Sequence, residues 1–181
     1  MLILRGTPAL SDFRLQKLSS DFKAAGIPVA SVYAEFLHVV DLSADLTASE
    51  KETLEKVLHY GPMREVKALE GELFVVCPRP GTISPWSSKA TDIAHICGLP
   101  AIKRIERAIA YYVKFEGAAP AREALASTRE KISAKIHDRM TQAVFADTAA
   151  LEVLFSKEEP RPLNVIPVLT EGRDALVKAD K

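Results

Sequence analysis

Cysteine is scarce in this chain. Its 181 residues include two, Cys77 and Cys97, too few and too far apart for a disulfide framework or a paired-thiol metal site. Both are expected to be buried, reduced core thiols. Neither has the Gly-x-Cys-x-Gly setting of a nucleophile elbow. Net charge is also missing: 24 Lys+Arg against 24 Asp+Glu gives +0, which removes the long-range attraction used by nucleic-acid and anionic-membrane binders. No apolar run approaches the roughly 20 residues of a membrane span. The opening MLILRGTPAL is broken by Arg5 before it reaches signal-peptide length. A soluble, cytoplasmic protein with no nucleic-acid or membrane partner is the expectation.

Catalytic motifs are equally sparse. The four histidines, His38, His59, His95 and His137, form no HExxH or other close ligand pair, and each reads as a surface or satisfied core residue. Neither GxxxxGK[ST] nor GxGxxG occurs, so no self-contained nucleotide site is supported. The acidic clusters around Glu50 and Glu158 read as solvated faces.

What the chain does have is a hydrophobic content of 48% and a repeated order of elements. Met1 to Leu4 reads as a strand ended by a turn at Arg5-Gly6-Thr7-Pro8. Ser11 caps a helix carrying Leu15, Leu18, Phe22 and Ala25, which Gly26 and Pro28 end. Val29 to Leu42 is apolar on both parities, as in a strand covered on both sides. Thr47-x-x-Glu50 is a capping box for a helix with Leu54, Val57 and Leu58 buried and Gly61-Pro62 at its end.

A second round follows. Leu73 to Cys77 forms a strand stopped at Pro78. Ala90, Ile93, Ala94 and Cys97 stripe a helix ended by Gly98. Ala101 to Phe115 fits helix and strand periods alike, and its β-branched and aromatic content favours a strand. Pro120 opens a long helix with Leu125, Ile132, Ile136, Met140 and Val144 on one face. Asp147 caps a short helix containing Leu151, Leu154 and Phe155. Residues 156 to 162 read as a linker, Leu163 to Leu169 as a strand, and Gly172 to Lys178 as the start of a helix. The halves also share Arg5-Gly6-Thr7 then Ser11, and Arg79-Pro80-Gly81-Thr82 then Ser84. An internal duplication follows, with an α+β fold whose antiparallel sheet is covered by helices.

One connection concentrates polar groups: Arg79, Thr82, Ser84, Trp86, Ser87, Ser88, Lys89, Thr91 and Asp92 join a strand to a helix. Two readings stand. Ser87, Ser88 and Lys89 at a helix start suit an anion. Equally, Ser84 as N-cap with Pro85 behind it and Trp86 in the core makes an ordinary helix start.

Several of these segments resemble one family. They are Leu4-Arg5-Gly6-Thr7-Pro8-Ala9-Leu10-Ser11, Tyr33-Ala34-Glu35-Phe36-Leu37-His38, RPGTISPWSSKATDIA within Arg79 to Gly98, the run from Arg104 to Tyr112, and His137-Asp138-Arg139-Met140. The family is the large, single-chain phosphoribosylformylglycinamidine synthase, or formylglycinamide ribonucleotide amidotransferase. The resemblance implies a purine-biosynthesis ligase that uses ATP and glutamine to make the amidine from formylglycinamide ribonucleotide. It implies an N-terminal domain like two fused copies of a small S subunit, here 1–146. Residues 147–181 would begin a linker domain, ahead of the synthetase and glutaminase.

On this resemblance the chain is an N-terminal fragment, inactive alone, with no catalytic or metal-binding residue and no cofactor of its own. ATP and Mg belong to the parent enzyme, and the partners are its synthetase and glutaminase domains, held in register for ammonia channelling. The alternative is a free-standing anion or nucleotide binding module using the Ser84–Asp92 helix start. The segment from Arg79 to Asp92 is then the candidate substrate-binding or interdomain site.

Overall fold

Long β-branched runs separated by capped helices build one five-stranded sheet with helices stacked on it. The computed structural model describes residues 1–61, 70–117, 122–156 and 162–180. The elements run β1 (Leu2–Pro8), α1 (Asp12–Ala24), β2 (Val29–Leu42), α2 (Ala48–Leu58), β3 (Glu72–Pro78), α3 (Pro85–Ile96), β4 (Ile102–Phe115), α4 (Arg122–Ile136) and β5 (Gln142–Phe145). A 3-10 helix (Ala149–Phe155) follows, then two short helices, α5 (Val168–Glu171) and α6 (Arg173–Ala179). The strands lie in the order β1-β2-β4-β3-β5, every pair antiparallel. The fold is the expected α+β one.

The duplication is visible in the register. The two long strands, β2 and β4, lie side by side in the middle with Leu37 opposite Ala108. β1 flanks β2 as β3 flanks β4. Glu35 faces Ala110 and Glu106 faces Val39, so the two glutamates stand at equal distances on either side of that central pair. Both are fully buried, and each is met by an arginine.

Strand parity then sorts the core. One face carries all four long helices. α1 and α4 cover one end, around Phe22, Ala34, Phe74, Tyr111, Val113 and Ile132. α2 and α3 cover the other, around Val40, Leu54, Ala94 and Ile105. The reverse face buries Leu37, Val39, Val75, Cys77 and Ala108 beneath Leu151 and Leu154 of the 3-10 helix. Fully burying a side chain such as Phe22 or Phe74 contributes about 2–3 kcal/mol. Gly71, just before β3, has φ +111, and a Cβ there would lie 2.5 Å from the Val113 carbonyl oxygen. Only glycine allows that strand entry.

Local capping follows the sequence. Ser11 accepts from the Arg14 N–H, Thr47 and Glu50 form the reciprocal box, and Asp147 accepts from the Ala150 N–H. Ala101 to Phe115 is the strand that its β-branched content indicated.

Four expectations need correction. β1 does not stop at Arg5 but continues to Pro8, because a register shift between Arg5 and Pro8 absorbs Gly6 and lets the ladder resume. The α4 face ends at Ile136. Asp138 accepts from the Met140 N–H and turns the chain, so Met140 is exposed and Val144 belongs to β5. Leu163 to Leu169 is not a strand: Pro167 precedes the short helix α5 instead. Cys97 is exposed at the C-cap of α3, and only Cys77 is buried. Pro62, Pro120 and most of the 156 to 162 linker lie outside the described residues.

The thiols therefore differ in chemistry. Burial, then the nearby Glu106 carboxylate, pushes Cys77 up to about 12, which removes the reactive thiolate at neutral pH. An aromatic disulfide reagent is expected to titrate one thiol in the native protein and two in denaturant. Two fast native thiols would contradict the buried position of Cys77.

Candidate functional site

β3 ends at Pro78 because proline cannot donate to the ladder and a second proline follows at Pro80. The chain then crosses to α3 through the connection singled out above. Its backbone is held from behind. The Arg79 N–H donates to the Thr141 carbonyl at 3.1 Å, and the Thr82 hydroxyl donates to the Arg79 carbonyl at 2.6 Å. Ser84 is the N-cap of α3: its hydroxyl oxygen accepts from the Ser87 N–H at 3.0 Å, and Pro85 takes the first helical position.

Two residues of β4 anchor this connection, and the sequence pattern alone did not single them out as functional. Glu106 accepts from the Ser84 hydroxyl at 2.8 Å and from the Ser84 N–H at 3.2 Å. Arg104 pairs with Glu106, donates to the Thr82 carbonyl at 2.6 Å, and donates to the Leu154 carbonyl of the 3-10 helix at 3.2 Å. One guanidinium thus joins the connection, the central sheet and the reverse-face helix. The available signal was an arginine and a glutamate two apart, Arg104 and Glu106, in a strand whose alternate positions are largely buried. Charges at such positions are paired or they are costly.

The candidate residues divide into two sets. Ser84, Ser87 and Thr91 point inward: Ser87 is buried, and Thr91 accepts from the Ile105 N–H of β4 at 3.0 Å. Trp86 is half-buried and stacks on His38. Arg79, Thr82, Ser88, Lys89 and Asp92 are exposed. The amides of the first turn are mostly engaged. Pro85 has none, Ser87 donates to the Ser84 hydroxyl, and Ser88 donates to the Ser84 carbonyl. The backbone of the helix start is therefore largely satisfied within the cap, although the buried Ser87 hydroxyl has no partner, and its outward chemistry comes from side chains.

Beside it lies a cleft of about 530 Å³ bounded by Pro78 to Pro85 on one side and Met140 to Gln142 on the other. Ile83 and Met140 stand at its rims, 63% and 78% exposed. Large apolar side chains presented next to hydroxyls and charges on a fixed loop have the composition of a contact surface. Among the described residues, no group of three or more His, Cys, Asp or Glu side chains is placed to hold a metal ion. No described helix is long and apolar enough to cross a membrane.

Residues 35–155 match the family model described as formylglycinamide ribonucleotide amidotransferase N-terminal. The match covers more than half of the chain and contains most of β2, the whole connection, both anchoring residues of β4 and the 3-10 helix.

Proposed function

Because the chain belongs to the formylglycinamide ribonucleotide amidotransferase N-terminal family, which sets it in purine biosynthesis, we propose that it is the assembly domain of that enzyme. In this reading it performs no chemistry itself. It holds the ATP-dependent synthetase and the glutaminase in register, so that ammonia passes between their sites, and residues from 147 onward lead toward the linker domain.

The observation that supports this is the contrast within one connection. Arg104 and Glu106 fix its backbone, while Arg79, Thr82, Ile83, Ser88, Lys89 and Asp92 face outward from it. A surface loop held this firmly presents its side chains at little further cost in ordering, which is what a docking contact requires. The contact is assigned to the region of the synthetase active site. In this reading Ser88 and Lys89, with Ser87 behind them, meet the ribonucleotide phosphate across that boundary.

Replacing Ser88 and Lys89 together with alanine tests this. Both are exposed, so the isolated domain should keep its stability to within the small change expected of surface substitutions, about 0.5 kcal/mol, and its Tm nearly unchanged. The complete enzyme carrying the same pair should lose turnover with ATP, glutamine and the ribonucleotide. A domain that unfolds, or a complete enzyme with unchanged turnover per folded molecule, would reduce the segment to a helix cap.

The rival reading is a free-standing anion or nucleotide module at the Ser84–Asp92 helix start. It is less well supported, because the amides it needs are mostly taken within the cap itself.

A further inference from the structure

The helix-covered face of the sheet has a seam. α1 packs with α4 and α2 with α3, and aliphatic and aromatic core fills the sheet beneath each pair. Between them, the same face of β2 and β4 carries Phe36, His38 and Arg107, with His38 directly opposite Arg107 in the register. Tyr60, just past α2, and Trp86, in the first turn of α3, close over them. His38 stacks on Trp86 at 5.7 Å and meets Tyr60 edge-on at 5.5 Å. The Arg107 guanidinium lies 4.5 Å from the centre of the Phe36 ring and 4.8 Å from that of Trp86.

The seam holds a positive charge without an anion. Arg107 is half-buried, and among the described residues it donates to the Tyr60 hydroxyl at 3.4 Å but meets no carboxylate within ion-pair distance. Its neighbours in charge are treated differently: Arg104 has Glu106 and Arg5 has Glu35. His38 Nε2 shares a hydrogen bond with the Tyr60 hydroxyl at 2.7 Å, which leaves Nδ1 as the other ring nitrogen. That Nδ1 is buried and has no partner. A partly desolvated guanidinium over aromatic rings, with no carboxylate beside it, has unmet demand for an acceptor bearing negative charge. The half-exposed rings of Phe36, Tyr60 and Trp86 supply an apolar wall beside it.

We propose that this seam is a binding site for a small organic oxyanion, a phosphate or carboxylate received by the free edge of Arg107 against the aromatic wall. It uses neither Ser88 nor Lys89, and it stands or falls separately from the docking role of that loop.

Trp86 is the only tryptophan in the chain, so its emission reports on the site alone. Titration at neutral pH with sodium phosphate and, separately, with sodium acetate, each against sodium chloride at matched ionic strength, is expected to give a saturable emission change with at least one of them. A response to phosphate assigns the phosphate class, and a response to acetate alone assigns the carboxylate class. Arg107→Lys keeps the charge but loses the planar fork, and should weaken binding about tenfold. Arg107→Met should abolish the response while circular dichroism stays native. No saturable change with either anion, an equal change with chloride, or undiminished binding in Arg107→Met would overturn the proposal. If the methionine variant does not fold, the lysine variant decides, and unchanged affinity there overturns it.

Discussion

Replacing Arg104 with methionine is expected to destabilise the protein by about 3–5 kcal/mol, the range for removing one partner of a buried ion pair. The methionine keeps much of the stem's packing, so the loss is chiefly electrostatic. Glu106 is fully buried, and the Arg104 side chain is only 18% exposed. Without the guanidinium, the carboxylate keeps the two Ser84 donors but no counter-charge. The Thr82 and Leu154 carbonyls lose their donor in the same substitution. For a domain of this length each kcal/mol is worth roughly 2–4 °C, so Tm should fall by roughly 10 °C.

Two further variants separate charge from packing. Adding Glu106→Gln to Arg104→Met should recover part of the loss, because a buried amide needs no counter-charge. Arg5→Met should cost less than Arg104→Met, because Arg5 is 44% exposed and water can reach the space it leaves beside Glu35. Urea denaturation of the four proteins checks the order. An Arg104→Met protein within about 1 kcal/mol of the parent would mean that Arg104 does not organise the connection.

The ordering of elements was legible in the residues, and for physical reasons that recur in the structure. Caps at Ser11, Thr47 and Ser84 mark helix starts because a hydroxyl there satisfies amides that nothing else reaches. Glycines and prolines mark the ends. Ala101 to Phe115 satisfied two periods at once, and its β-branched and aromatic content pointed to the strand that forms. The errors arose where tertiary contacts override a local signal. Gly6 and Pro8 look like a turn, yet the Ala9 N–H still reaches the Ala34 carbonyl at 2.9 Å, so β1 keeps its partner past the register shift. Met140 and Val144 continue the spacing of Ile132 and Ile136, but the Asp138 turn cannot be read from apolar period alone.

The site was legible in part. The concentration of hydroxyls from Thr82 to Thr91 located the connection, and residue order placed Ser84 and Pro85 at the helix start. Which hydroxyls face inward depends on where β4 runs, and that is a long-range fact. Glu106 is 22 residues from Ser84, and Arg107 is 47 from Tyr60. No window along the chain brings those pairs together. His38 is the extreme case. It read as an ordinary histidine, yet it is buried at the centre of the helix-covered face with one ring nitrogen unpartnered.

His38 should also make stability depend on pH in a defined window. Burial, then the neighbouring Arg107 charge, lowers its pKa from 6.5 to about 4 in the folded protein. The unfolded chain keeps the ordinary value, so between the two it binds more protons than the folded chain. Stability therefore rises with pH through the window. The contribution is complete above about 6.5 and is lost as pH falls toward 4. Each tenfold difference in proton affinity between the folded and unfolded chains is worth about 1.4 kcal/mol, so the whole contribution amounts to about 3 kcal/mol. Other groups titrate near the lower end, so the comparison must be with a variant that cannot protonate at this position. His38→Leu provides it. Any cost of repacking beside Gly6, Tyr60 and Trp86 is independent of pH and moves the whole curve vertically, whereas the readout is the slope. Urea denaturation from about pH 7.5 to 4 should show the parent losing about 3 kcal/mol more than His38→Leu across the window. Parallel curves would mean that the imidazole is hydrated or paired in solution, and that its Nδ1 is not left without a partner.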